Sequence, residues 1–105
     1  MVFEIPSPAG KLKRNRFEFK LGGEIRSLPK IDYVPAEADD YLKAMRGKSV
    51  AQREFVLGFI GACDPEIEAK MRELKLTRDQ VDALYEAWGK ASRVTAGESS
   101  DSSTS

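Results

Sequence analysis

The spacing of apolar positions changes once along this chain. Phe17, Phe19 and Leu21 alternate with Glu18 and Lys20, the two-residue repeat of a strand with one buried face. Gly22-Gly23 then supplies the positive φ angles of a tight turn, so residues 16–29 read as a β-hairpin that Pro29 closes. The register stays open at this level. A two-residue loop pairs Phe17 with Leu28 but sets Arg26 opposite Phe19 and Ile25 opposite Lys20. A three-residue loop pairs Leu21 with Ile25 but turns Leu28 to the polar side, because a slip of one residue swaps the faces.

Beyond Pro29 the repeat becomes helical. Pro35 is placed to open a first helix over about 35–46, with acidic residues early, Lys43 and Arg46 late, and Gly47 at its end. Ser49 and Gln52 have the spacing of a capping box for a second helix, about 50–62. Its positions Val56, Phe59, Ile60 and Cys63 follow the i, i+3, i+4, i+7 pattern of a core face. Asp64-Pro65 pairs a cap residue with proline at the first helical position and starts a third helix, about 65–75, with Ile67, Met71 and Leu74 as its apolar positions. Thr77 with Gln80 repeats the capping box and opens a fourth, about 78–92, whose stripe is Val81, Leu84, Tyr85 and Trp88.

The expected class is therefore α+β: a small N-terminal hairpin followed by a bundle of three to four short helices. Trp88, Tyr85, Leu84, Phe59 and Ile60 are its expected core. A length of 105 residues suits one domain, placed at 16–93. Residues 1–15 read as an extended basic arm held open by Pro6 and Pro8, and 94–105 as a disordered tail rich in serine.

Composition narrows the chemistry. Seventeen Lys and Arg balance seventeen Asp and Glu, which argues against a globally basic nucleic-acid binder. The sequence holds no histidine and a single cysteine, Cys63. That removes histidine-assisted nucleophiles, an internal disulfide and cysteine-cluster zinc sites. Neighbouring carboxylates such as Asp39-Asp40 and Glu66 with Glu68 do not face one another on a helix and read as complements of the helix dipole. No Walker-type phosphate loop is present. The expectation is a protein without catalytic residues, metal or cofactor. No apolar run is long enough to span a bilayer, so a cytoplasmic protein without membrane contact is expected.

Two surfaces remain as binding candidates. The basic residues Lys11, Lys13, Arg14 and Arg16 beside Phe17 and Phe19 could form a nucleic-acid surface, a protein-docking arm, or only a solvated arm beside a buried hairpin face. On the second helix, Leu57 with Gly58 and Gly61, and Phe55 at the margin, fall away from the core stripe. Glycines cost about 1 kcal/mol each inside a helix and usually have a packing reason. This face suits either packing on the fourth helix, or a partner or a second copy of the chain.

Several features together resemble one family. They are Met-x-Phe-Glu-Ile-Pro-x-Pro-x-Gly at residues 1–10, Phe17-x-Phe19 with a glycine turn and Ser27-Leu28-Pro29-Lys30, a Trp88-bearing helix, and Gly97-Glu98-Ser99-Ser100 before further serines. The chain resembles the tail assembly chaperones of long-tailed, siphovirus-type phages and prophages of actinobacteria. The resemblance implies a non-enzymatic protein of the infected host's cytoplasm, absent from the mature virion. It implies binding to the tape measure protein, which is kept soluble while tail tube subunits are recruited. It also implies that this chain is the short product of a frameshifted pair, with the longer product contacting the tail tube protein. The alternative from a different class is a small nucleic-acid-binding regulator using the basic arm and hairpin.

Overall fold

A computed structural model of the protein describes residues 2–97. Two antiparallel strands, β1 (Arg16–Leu21) and β2 (Glu24–Pro29), precede four helices: α1 (Ala36–Met45), α2 (Gln52–Cys63), α3 (Pro65–Glu73) and α4 (Arg78–Gly97). The fold is α+β.

The hairpin takes the two-residue loop. Gly22 and Gly23 both have positive φ (59° and 85°), the mirror-image turn whose twist matches its strands. Phe17 pairs with Leu28, Phe19 with Arg26 and Lys20 with Ile25. This register buries Leu21 and Leu28 and leaves Ile25 67% exposed. It also places Arg26 on the apolar side, where its Nε is buried without a hydrogen-bond partner among the described residues while the guanidinium reaches Glu24 at 2.9 Å. Full burial of Leu28 outweighs an exposed isoleucine and an unpaired arginine nitrogen, because a buried leucine is worth about 1.5–3 kcal/mol.

The cap signals fared unevenly. Asp64 caps α3, its Oδ1 accepting from the amides of Glu66 (3.1 Å) and Ile67 (3.4 Å), with Pro65 at the first helical position. At the start of α4, the Gln80 side-chain oxygen accepts from the Thr77 amide at 2.8 Å, the returning half of a capping box. Thr77 Oγ1 donates to Asp79 instead, at 2.6 Å, and this bond holds the Asp79 carboxyl below the usual carboxylate range. The capping box read at Ser49 and Gln52 does not form: α2 begins at Gln52, after Ala51, with no side-chain cap. Pro35 precedes α1 as its cap residue rather than opening it.

The arm is shorter than expected. Two 3-10 turns, Ala9–Lys11 and Lys13–Asn15, tie residues 9–15 to the body. Asn15 Nδ2 donates to the Ala9 carbonyl (3.0 Å), and the Lys30 amide donates to the Asn15 carbonyl (2.8 Å). Arg16 spans the same junction, donating to the carbonyls of Gly10 (3.0 Å) and Ser27 (2.9 Å) and to Ser27 Oγ (3.1 Å). Within the expected arm, residues 2–8 have no regular structure. At the other end α4 runs to Gly97, so the first four residues of the expected tail are helical; residues 98–105 lie outside the described residues.

Trp88 is fully buried at the centre. Its ring packs on Phe59, centroids 5.0 Å apart, and its Nε1 donates to the Pro29 carbonyl at 2.9 Å. Val56, Leu57, Ile60, Ile67, Met71 and Val81 complete the core around it. Leu84 and Tyr85 are half-buried at its edge. One turn beyond Trp88, Ser92 Oγ accepts from the Ile31 amide (2.8 Å) and donates to the Trp88 carbonyl (3.0 Å). The exit of the hairpin is thus fastened to α4 by two buried polar groups that satisfy backbone otherwise left unpaired.

Candidate functional site

The face proposed on the second helix is not open. Leu57 is fully buried within the core. Phe55 is half-buried among Tyr41, Phe59 and Tyr85, with ring centroids 5.7–6.5 Å away. Gly58 lies under the Tyr41 phenol of α1: a Cβ at Gly58 would meet the hydroxyl and come within 2.7 Å of Cζ. The hydroxyl donates to the Phe55 carbonyl at 2.9 Å. Gly61 lies under Glu68 of α3, where a Cβ would strike the carboxylate, its Cδ at 2.7 Å. Both glycines therefore have a packing reason, the close approach of α1 and α3. The fourth helix, the neighbour expected from sequence, is not what they accommodate. Helix α2 is enclosed from several sides because its mean composition is apolar around most of its circumference, which a single stripe does not reveal.

A charged network seals the α2–α3 contact. Arg72 donates to Glu68 (2.9 Å) and, through both terminal nitrogens, to Glu54 (3.1 and 3.5 Å). Arg53 reaches Glu54 at 2.9 Å and the Leu76 carbonyl at 2.9 Å. The Arg72 hydrogen bond and charge hold the Glu54 carboxyl below its ordinary value. Burial, then the nearby carboxylates of Glu68 and Glu54, push the Tyr41 phenol above its own. These groups are committed to each other and serve packing.

Cys63 gives no nucleophile. It is half-buried at the end of α2, and desolvation pushes its thiol up to about 12 against the partial opposition of Arg16. At neutral pH the thiol is protonated and unreactive. No group of three or more Cys, Asp or Glu suitable for a metal occurs among the described residues. No helix among them is long and apolar enough to cross a membrane.

The nucleic-acid surface loses most of its parts. Phe17 and Phe19 are half-buried against the core and stack on each other, centroids 5.7 Å apart at 24°. Arg16 is spent on Gly10 and Ser27. Lys11, Lys13 and Arg14 remain exposed.

What the structure does leave open was not singled out from the sequence. Val2, Phe3 and Ile5 are 92%, 81% and 83% exposed on the arm. Their signal was present in the sequence as three apolar residues that no helical or strand repeat absorbs, but prolines and cations dominated the reading of that segment. A pocket of about 240 Å³ lies beside β1, lined by Phe19, Leu21, Met71, Leu76 and Leu84 together with Lys20, Gly22 and Gln80. A second of about 310 Å³ lies at the root of the arm, between Pro8, Pro29, Tyr33, Pro35 and Cys63. Neither brings together a base, a nucleophile and an oxyanion donor.

No protein-family model, curated protein or solved structure matches this chain.

Proposed function

We propose that this chain is a tail assembly chaperone of a long-tailed phage. In this reading it binds the tape measure protein in the host cytoplasm, keeps it soluble, and leaves as tail tube subunits arrive. It acts as the short product of a frameshifted pair, without enzyme activity, metal or cofactor. The carrying observation is the apolar arm: Val2, Phe3 and Ile5 stand free of a body whose own core is already complete. A long helical partner exposes apolar stripes before the tube encloses it, and such stripes aggregate. A short extended segment with three apolar side chains can cover part of one stripe weakly enough to be displaced. The arm takes over the role that the sequence assigned to Phe55, Leu57, Gly58 and Gly61.

Co-expression with the tape measure protein encoded alongside it tests the reading. The tape measure protein is expected in the soluble fraction only when this chain is present, and Phe3→Ser with Ile5→Ser is expected to lose that effect. Equal solubility with and without the chain overturns the proposal. The exposed cations Lys11, Lys13 and Arg14 favour the second reading, a nucleic-acid-binding regulator. That reading requires DNA or RNA affinity that falls steeply with salt, by a slope of about three phosphate contacts.

A further inference from the structure

We propose that the pocket at the root of the arm receives one bulky apolar side chain of the bound partner, and that a neighbouring carboxylate of that partner meets Lys11 and Arg16. This docking rests on the tape-measure reading and names the chemistry of the segment bound.

The pocket, of about 310 Å³, is walled mainly by apolar groups, among them Pro29, Tyr33, Val34, Pro35 and Cys63. Cavities of about 150 Å³ already accept benzene, so a phenyl or leucyl side chain has room here. A mostly apolar hollow with a few convergent polar groups is the usual form of a binding site.

Its charged groups set what may lie beside that side chain. Lys11 is on the wall, exposed, and has no ion-pair partner among the described residues. Arg16 is on the wall as well. Of the five N–H donors of a guanidinium, it spends three, on the Gly10 carbonyl and on the carbonyl and Oγ of Ser27. One N–H on each terminal nitrogen remains. Its charge reaches across the pocket, where it opposes the upward shift of the Cys63 thiol. Asp64 is the one acidic group lining the pocket, and its Oδ1 is committed to the amides of Glu66 and Ile67. Two cations against one engaged carboxylate favour an anionic neighbour to the apolar group.

The arm starts at this pocket without entering it. Pro8 forms part of the wall, with φ −57° and ψ 135°, the polyproline conformation. Ile5 and Ser7 each precede a proline and are restricted to extended backbone, and Pro6 fixes its own φ. Residues 5–8 are therefore a stiff stem about 9 Å long. The 3-10 turn Ala9–Lys11 fixes its base. The stem leads outward: Ile5, Phe3 and Val2 beyond it are 83%, 81% and 92% exposed. Laid along a partner helix, a stem of that length carries Ile5 nearly two turns past the side chain in the pocket. Pocket and arm thus hold one apolar stripe at two points, and the carboxylate beside the first point distinguishes that stripe from a purely apolar one.

Wild type and a variant, co-expressed with the tagged tape measure protein, compete for it, and their ratio in the purified complex reads relative affinity. At about 0.15 M salt, Lys11→Glu is expected to lose about five- to tenfold against wild type. Lys13→Glu and Arg14→Glu, equally exposed but off the pocket, are expected to lose less than about twofold. Cys63→Met extends a flexible side chain into the pocket and is expected to lose about tenfold or more, with the helical circular dichroism of wild type. Three charge reversals of equal effect, or a folded Cys63→Met chain that competes like wild type, would overturn the pocket and leave the tape-measure reading standing. A wild type that forms no complex overturns that reading and this docking together. Alkylation of Cys63 in the free chain checks the occupant: its rate should ignore both deletion of residues 2–7 and protein concentration. A rate raised by the deletion would mean that the arm fills the pocket, and a rate lowered with concentration that a second copy does; either result overturns the proposal.

Discussion

At position 75 a lysine occupies the left-handed region, with φ 55°. It closes α3 as a Schellman turn: the Leu76 amide donates to the Met71 carbonyl (3.4 Å) and the Lys75 amide to the Arg72 carbonyl (3.1 Å). A lysine there carries Cβ strain that glycine does not. Lys75→Gly is therefore expected to stabilise the protein by about 0.5–1 kcal/mol, read as a higher denaturant midpoint at unchanged slope. Gly58 behaves oppositely. Alanine gains about 1 kcal/mol of helix propensity but must push aside the Tyr41 ring and break its bond to the Phe55 carbonyl. Gly58→Ala is expected to destabilise by about 1–3 kcal/mol net, in a thermal or denaturant melt. Cys63 links stability to alkali. Its folded thiol is raised from 9.0 to about 12, so it contributes stability fully below the lower value and loses it as pH climbs toward the upper. Tyr41, also raised, adds a loss of the same sign. The decline of stability above pH 9 should therefore be shallower in Cys63→Ala than in wild type, and that difference isolates the thiol.

Among the elements, the hairpin and α4 depend on each other. Trp88→Phe keeps most of the buried bulk but leaves the Pro29 carbonyl unpaired, and Ser92→Ala does the same to the Ile31 amide. Each is expected to cost about 1–3 kcal/mol, whereas Trp88→Ala should cost about 3–5, measured by chemical denaturation. The order and type of all these elements were legible in the sequence because each has a strong local signal: strand alternation, Gly-Gly, Asp-Pro, and a Trp-bearing stripe. Ser49 and Gln52 misled because a capping box is a spacing, and the chain leaves Ser49 too early to use it. The hairpin register was not legible, since it turned on whether Leu28 or Ile25 would be covered by α2 and α4, a tertiary fact. The glycine face misled for the same reason. Gly58 and Gly61 do signal close approach, but nothing local says whether the approaching group belongs to the same chain. Tyr41 and Glu68, which fill those positions, sit 17 residues before Gly58 and 7 after Gly61 in the sequence.

At the scale of the whole molecule the boundary between body and arm falls near residue 9, not 16. Residues 9–15 bond to the body through two groups, the Gly10 carbonyl, held by Arg16, and the Asn15 carbonyl, held by Lys30, and Asn15 ties the segment to itself through the Ala9 carbonyl. Asn15 is only 5% exposed and Gly10 is buried. Residues 2–8 make no hydrogen bond to the other described residues and are exposed throughout. Stability and interaction are therefore carried by different stretches of the same basic, proline-containing segment. Deleting residues 2–7 is expected to leave the monomer's melting temperature unchanged within error, because exposed chain contributes no burial to the folded state. Arg16→Ala, only a few residues further on, is expected to lower stability by about 2 kcal/mol or more, since it orphans the Gly10 and Ser27 carbonyls and uncouples the 3-10 turns from the hairpin. The two measurements belong together, under one set of conditions. If the deletion destabilises as much as Arg16→Ala does, the arm packs on its own body, and its availability to a partner fails with it.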